Sequence, residues 1–251
     1  MAASPNLPPR PTSDWISQRC EWLAALTIFF LPGIAAAQAI SCQVPAKLPP
    51  LVPAAPEERQ VVPIGGYTLA LSWSPEYCRT RRSDPDDRIQ CSGPADRFGF
   101  VLHGLWPDGD GDLWPQYCRS PGIVPEAVAR ATLCVTPSVQ MLQHEWAKHG
   151  VCAFAEPAAY FTAGRALYGA IRYPDMDALS RNRNLRAASF AAAFVARNPG
   201  LRTEAIRLRL NRRGWLEEIY ICLDRRFRIR ACPGDNAARD QRPVKIWRAA
   251  R

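Results

Sequence analysis

Hydrophobic and polar side chains alternate along Tyr67-Thr68-Leu69-Ala70-Leu71-Ser72-Trp73, and Ser74-Pro75 closes the run. That pattern predicts a strand with one buried face. A denser apolar run, Phe98-Gly99-Phe100-Val101-Leu102, ends on His103, with Gly104 and Pro107 behind it as turn signals. Further strands are predicted along Ile206-Arg207-Leu208-Arg209-Leu210, from Trp215 to Leu223, and from Arg226 to Cys232. Between these blocks the apolar period becomes helical, over 123–131, 137–149, 156–172 and 187–198. Pro137 at the start of the second helix and Gly150 just past its end are boundary signals. Strands and helices mix without a βαβ rhythm. The expected fold is therefore α+β, a single domain with a mainly antiparallel central sheet flanked by helices.

The N-terminal part reads differently. Arg10 and Arg19 precede the apolar run from Trp22 to Leu31, which Pro32-Gly33 break before a small-residue stretch. This is the order of a secretory signal peptide over 1–39, with cleavage expected after Ala37 or Ala39. A membrane anchor would want about 20 unbroken apolar residues, so no stable membrane insertion is expected once the leader is removed. Residues 40–64 are Pro-rich (Pro45, Pro49, Pro50, Pro53, Pro56, Pro63) and read as an extended strap. The folded domain is expected over 65–233, and a basic tail over 234–251.

Charge and cysteines add two constraints. The 251 residues carry a formal charge of +9, and the leader removes as many acidic as basic residues. A basic balance suits RNA, DNA or anionic lipid, and also exported proteins that bind none of them. Cys20 would leave with the leader, and an even set remains: Cys42, Cys78, Cys91, Cys118, Cys134, Cys152, Cys222 and Cys232. An even set in an exported chain implies disulfides, hence a stapled domain in the periplasm or outside the cell. No Cys-x-x-Cys occurs, which speaks against a zinc ribbon and a thioredoxin-like site.

The candidate chemistry lies in His144-Glu145-Trp146-Ala147-Lys148-His149-Gly150-Val151-Cys152, which holds two of the three histidines. At helical spacing, His144, Glu145, Lys148 and His149 fit in an arc of roughly 140°, with Trp146 and Ala147 pointing away into a core. His103, at the end of its strand, can meet this face across a cleft. One neutral and one charged imidazole are what proton transfer to and from a phosphodiester requires. Two other readings stay open. The histidines can be core residues beside a helix ion pair, Glu145 to His149 or Glu145 to Lys148. A zinc site is disfavoured, because zincins space their helical histidines i, i+4 and His144 and His149 stand i, i+5. Asp108-Gly109-Asp110-Gly111-Asp112 lacks the acidic twelfth position of a calcium loop and reads as a turn.

Phe100-Val101-Leu102-His103-Gly104-Leu105-Trp106-Pro107-Asp108 and the segment from His144 to Cys152 resemble the two signature segments of the ribonuclease T2 family. The likeness extends from about Tyr67 to Cys232 and includes Leu216-Glu217-Glu218-Ile219-Tyr220-Ile221-Cys222-Leu223-Asp224. The resemblance implies an endoribonuclease of low base specificity that acts on single-stranded RNA through a 2′,3′-cyclic phosphate, without metal or cofactor, as a monomer. His149 would be the general base and His103 the general acid. His149 is expected at the helix C-terminus, one turn after Glu145, and both features favour its imidazolium. His144 would hold the phosphate, with Glu145 and Lys148 stabilising the transition state. Trp106 and Asp108 match the family's positions for the primary base site, and Trp114 falls where the family often has another aromatic, so all three are expected to bind substrate. DNA, lacking the 2′-hydroxyl, would not be cut. By the same analogy Cys118 pairs with Cys152, Cys78 with Cys91 and Cys222 with Cys232, leaving Cys42 with Cys134. The sequence departs from the family pattern at Val151, at Ser72-Trp73-Ser74-Pro75 and at Met141. A secreted RNA-binding or toxin-like protein acting without turnover is the alternative, and a zinc metallohydrolase a more distant one.

Overall fold

The computed structural model describes residues 41–54, 58–92, 98–111 and 113–248. The expected signal peptide and its cleavage sites lie outside them, as does Asp112. Among the described residues four strands form one antiparallel sheet in the order β2-β1-β4-β3. They are β1 (Gly66–Trp73), β2 (Phe100–Asp108), β3 (Ile206–Leu210) and β4 (Leu216–Leu223). The alternation in β1 turns Leu69, Leu71 and Trp73 into the core, beside Ile219 and Ile221 of β4 and Ile206 and Leu208 of β3. The register pairs Ala70 with Tyr220 and Ser72 with Glu218, and beyond them Arg207 with Tyr220 and Arg209 with Glu218. The second sheet face is therefore polar, and it carries the site.

Two single turns, α1 (Ser74–Tyr77) and α2 (Arg88–Cys91), follow β1. After β2 come α3 (Glu126–Thr132), α4 (Val139–Glu145), α5 (Val151–Ala153), α6 (Pro157–Ala170), α7 (Met176–Arg181) and α8 (Ala187–Val195). Helix α6 buries Tyr160, Phe161 and Tyr168 against the sheet, and α8 buries Phe190 and Phe194. Gly164 brings α6 close to β2, since a Cβ there would stand 3.1 Å from Leu102.

Four disulfides staple the domain: Cys42–Cys134, Cys78–Cys91, Cys118–Cys152 and Cys222–Cys232. The first ties down the Pro-rich strap, which Arg130 also holds by donating to the carbonyls of Pro45 (2.9 Å) and Ala46 (2.6 Å). Two expectations are corrected and one element is new. Residues 226–232 form no strand. Asp224 there accepts from the amides of Arg226 (2.7 Å) and Arg228 (3.0 Å) and bends the chain, leaving a single Leu223–Ile229 bridge. Residues 234–248 are not a free tail. Ala237, Val244 and Ile246 are buried, and Lys245 exchanges backbone bonds with Leu216 and Gly214, 2.8 Å each. Helix α7 was not anticipated, its six residues being too few for a visible period.

Candidate active site

Helix α4 begins where Ser138 Oγ accepts from the Met141 amide at 3.2 Å, a serine cap just after Pro137. Gly150 does not end this helix. From Trp146 to Gly150 the backbone widens into a π-helical turn and then continues as α5. The glycine serves packing instead, because a Cβ there would collide with the Trp146 ring and stand 3.0 Å from Tyr160. Such π turns re-aim side chains and recur at functional sites. The polar face is consequently graded in depth. Glu145 and His149 are buried, at 1% and 7% exposure, while His144 and Lys148 are half-buried at the rim.

His103 is not at a strand end. It is the extra residue of a β-bulge inside β2, since Ala70 pairs with Gly104 and Leu71 with Leu102, leaving His103 unmatched. The bulge turns its ring toward the polar face. Its Nδ1 donates to Glu218 Oε1 at 2.6 Å, and its Nε2 stands 3.5 Å from Glu145 Oε1. Gly104, next along, makes room for the same carboxylate, which a Cβ would overlap. Trp106 lies between the two imidazoles. Its ring meets His103 edge-on at 5.1 Å and stacks on His149 at 5.4 Å, and its Nε1 donates to Glu145 Oε2 at 2.8 Å.

The environments drive the ionisable groups apart. Burial, with Lys148, His144 and His103 adding positive charge, pushes His149 down to about 2. The sequence reading, with His149 at a helix C-terminus one turn after Glu145, pointed the opposite way. It is corrected because the helix continues past His149 and the Glu145 carboxylate turns to Trp106 and His103. For His103 burial alone would lower the value, but the bond to Glu218 and the charges of Glu145 and Glu218 outweigh it and raise it. Burial pushes Glu145 up to about 7 against His103, Trp106 and Lys148. Glu218 falls to about 2, its burial outweighed by His103, Tyr220 and Ser72.

Glu145 thus carries a stability signature. A carboxyl raised from 4.5 to about 7 contributes fully below 4.5, and its contribution is lost as pH rises through about 7. Glu145→Gln is expected to unfold like wild type at pH 5 and to be more stable at pH 8, by up to about 3 kcal/mol. Denaturant melts at the two pH values check this, and a stability difference independent of pH would contradict it.

The base-binding expectations divide. Asp108 ends β2 with its carboxylate held by Thr68 Oγ1 (2.9 Å) and near Arg230 (3.8 Å), and burial raises it against these partners. Trp114 is 50% exposed, on the loop that a bond from the Gly109 amide to the Leu113 carbonyl (3.1 Å) folds back toward β2. The site thus gathers His103, His144, Glu145, Lys148, His149 and Trp106, with Asp108 two residues beyond Trp106 and Trp114 out on its loop. Among the described residues no group of histidine, cysteine and carboxylate side chains is arranged to hold a metal ion. Sequence reasoning gave no role to Glu218, Tyr220, Arg209 or Ser72. The available signal was Glu218 and Tyr220, two polar positions on one face of β4, with Glu217 on the other.

The comparisons bear on this arrangement. A model of the ribonuclease T2 family matches residues 64–232. A probable ribonuclease of Haemophilus influenzae is 30% identical over 181 residues, covering 68% of this chain and 61% of that protein. A ribonuclease of Aeromonas hydrophila is 33% identical over 165 residues, covering 63% of this chain and 71% of its own. The fold resembles the crystal structure of RNase NT in complex with 5′-AMP, with a TM-score of 0.53 and 22% identity over 73% of this chain and 98% of that one. The matched family and these relatives are ribonucleases, and the chain spans 61% of the length of the first relative and 71% of the second. The chain belongs to the ribonuclease T2 family.

Proposed function

We propose that the protein is a metal-independent endoribonuclease that cleaves single-stranded RNA by transphosphorylation, with little base specificity. The observation that carries this is the opposite bias of two imidazoles flanking one indole: His149 held neutral and His103 held protonated. His149 takes the proton of the substrate's 2′-hydroxyl, whose oxygen attacks phosphorus. The bond to the 5′-oxygen breaks, and His103 Nε2 gives that oxygen its proton. The product carries a 2′,3′-cyclic phosphate, which water opens with the two roles exchanged. Lys148 and His144 set positive charge where the phosphorane develops negative charge. Glu145, protonated below about 7, meets the phosphate without repulsion.

Low base specificity is supported by stacking surfaces, which accept any base, and by an Asp108 carboxylate already engaged by Thr68. Trp106, Asp108 and Trp114 form the base site in this reading. We take residues 65–233, with 234–248 packed onto them, as the catalytic domain, acting as a monomer after export, and four disulfides suit the periplasm or the cell exterior. DNA lacks the nucleophile and is not cut.

Activity should be highest at acid pH. As pH rises through about 7, Glu145 ionises, and beyond the ordinary imidazole range His103 gives up the proton that Glu218 and Glu145 hold, so kcat should fall. On the acid side His149 stays neutral to about 2 in the free protein, so the decline there should be shallow. A pH–rate profile on single-stranded RNA checks both limbs, and an optimum above pH 8 would contradict the assignment. The function itself is tested with an oligodeoxynucleotide holding one ribonucleotide. A single cut 3′ to that ribose is expected. An intact oligomer, bound or unbound, would overturn the reading.

A further inference from the structure

The bulge in β2 has a cost that something must offset. A residue in register on a strand inherits its direction from the pleat, whereas His103 has no partner in the ladder to set it. Its direction depends on what its side chain meets. On the sheet side that is Glu218, in the middle of β4, 6% exposed and charged. A carboxylate buried in a strand is kept only if its oxygens are satisfied. Those of Glu218 are filled from all four strands. Oε1 accepts from His103 Nδ1 (2.6 Å) and Ser72 Oγ (2.7 Å), and Oε2 accepts from Tyr220 Oη (2.6 Å) and Arg209 Nη1 (3.2 Å). Ser72 and Arg209 are its register neighbours on β1 and β3. The carboxylate is therefore held by three donors besides His103.

We infer that Glu218 is the positioning residue of the general acid: clamped by Ser72, Tyr220 and Arg209, its carboxylate holds the Nδ1–H of His103 so that Nε2 faces the cleft as the proton donor. This rests on the ribonuclease reading for its consequence, but not for its geometry. The rival role, a sheet ion pair between Glu218 and Arg209, fits less well. Arg209 is 58% exposed by side chain, approaches Glu218 at 3.2 Å, and shares itself with Glu217 at 3.3 Å. The contact to His103 is shorter and better shielded. The other charged or titratable groups facing His103 are Glu145 from the end of α4, His149 from the π turn, and Arg209 and Tyr220 behind Glu218. Glu145 pulls the ring's charge in the same direction from the Nε2 side, while Arg209 opposes it. Nδ1 also lies 3.4 Å from Ser72 Oγ, but that hydroxyl donates to Glu218 at 2.7 Å, so the Glu218 carboxylate, at 2.6 Å, is the acceptor that sets the tautomer and the ring's angle.

The test uses the full oxidised chain and three variants. Glu218→Gln keeps the size and one acceptor oxygen but loses the charge, and its amide meets the donors of Tyr220 and Arg209. The midpoint of the His103 ring titration, followed by NMR, should move to lower pH, and the alkaline limb of kcat should move with it. At pH 7 kcat should fall tenfold or more, with KM for RNA nearly unchanged. Glu218→Asp keeps the charge but is one methylene short. Its His103 midpoint should stay near wild type while kcat falls, which separates aiming from charge. Glu217→Gln, which removes only the exposed partner of Arg209, should change neither. An unmoved midpoint in Glu218→Gln, full kcat in Glu218→Asp, or the same shift in Glu217→Gln would each overturn the inference. If the wild-type chain cut no RNA, the ribonuclease reading would fail by itself. The ring titration would still decide whether Glu218 holds His103.

Discussion

Replacing His149 by alanine is expected to lower kcat on single-stranded RNA by about 10²–10⁴-fold, the usual span for loss of a positioned general base. Binding of the same RNA should change little. The separation follows from where the ring sits. His149 is buried against the Trp106 indole, its Nδ1 has no hydrogen-bond partner among the described residues, and the rim charge comes from Lys148 and His144. Removing it strands no buried partner and takes no cation from the cleft. His103→Ala should be as inactive but differ in stability. It would take one donor from the buried Glu218 carboxylate, which keeps Ser72, Tyr220 and Arg209, a loss of about 1–3 kcal/mol. Fluorescence anisotropy with a labelled RNA and denaturant melts distinguish the two. Equal binding losses and equal stabilities would show that the histidines are not divided as proposed.

Removing the Cys118–Cys152 bridge, as the double serine variant, is expected to lower stability by about 3–4 kcal/mol for a loop of this length. It should also lower kcat. The bridge joins α5 to the loop in which the Tyr117 amide donates to the Lys148 carbonyl at 2.9 Å. Tyr117 itself is held at φ 49, a left-handed conformation that a tyrosine adopts only when its surroundings enforce it. Without the bridge this loop is freed from the turn that carries Lys148 and His149. The Cys42–Cys134 bridge closes a longer separation, 92 residues, and its loss should cost more, about 4–5 kcal/mol. It fixes only the strap to the end of α3, so kcat should hold. Rate and melting measured on both variants test the contrast, and full turnover without Cys118–Cys152 would contradict it.

Much of this was legible in the chain. The alternation of Tyr67–Trp73 and Ile206–Leu210 locates two strands because one face of each is buried and the other is not. The motif from His144 to Cys152 declares its chemistry because Trp146 and Ala147 fall on the side opposite the four polar residues. What escaped depends on partners distant in sequence. Nothing local shows that His103 bulges out of β2, since the bulge is a matter of register with Ala70 and Leu71. The protonation of His149 was misjudged from helix position, because burial and three surrounding cationic side chains arise only on folding. Glu218 drew no attention because its meaning is a contact across 115 residues. Residues 234–248 read as a basic tail because much of what holds them is backbone pairing, to which composition is blind.

The most direct test is to incubate the purified, oxidised protein with single-stranded RNA at pH 5 in EDTA and weigh the products. Fragments ending in 2′,3′-cyclic phosphate are the expected result, since His103 and His149 need only the substrate's own hydroxyl. Intact RNA, or cleavage that appears only when zinc is restored, would contradict transphosphorylation by these two histidines.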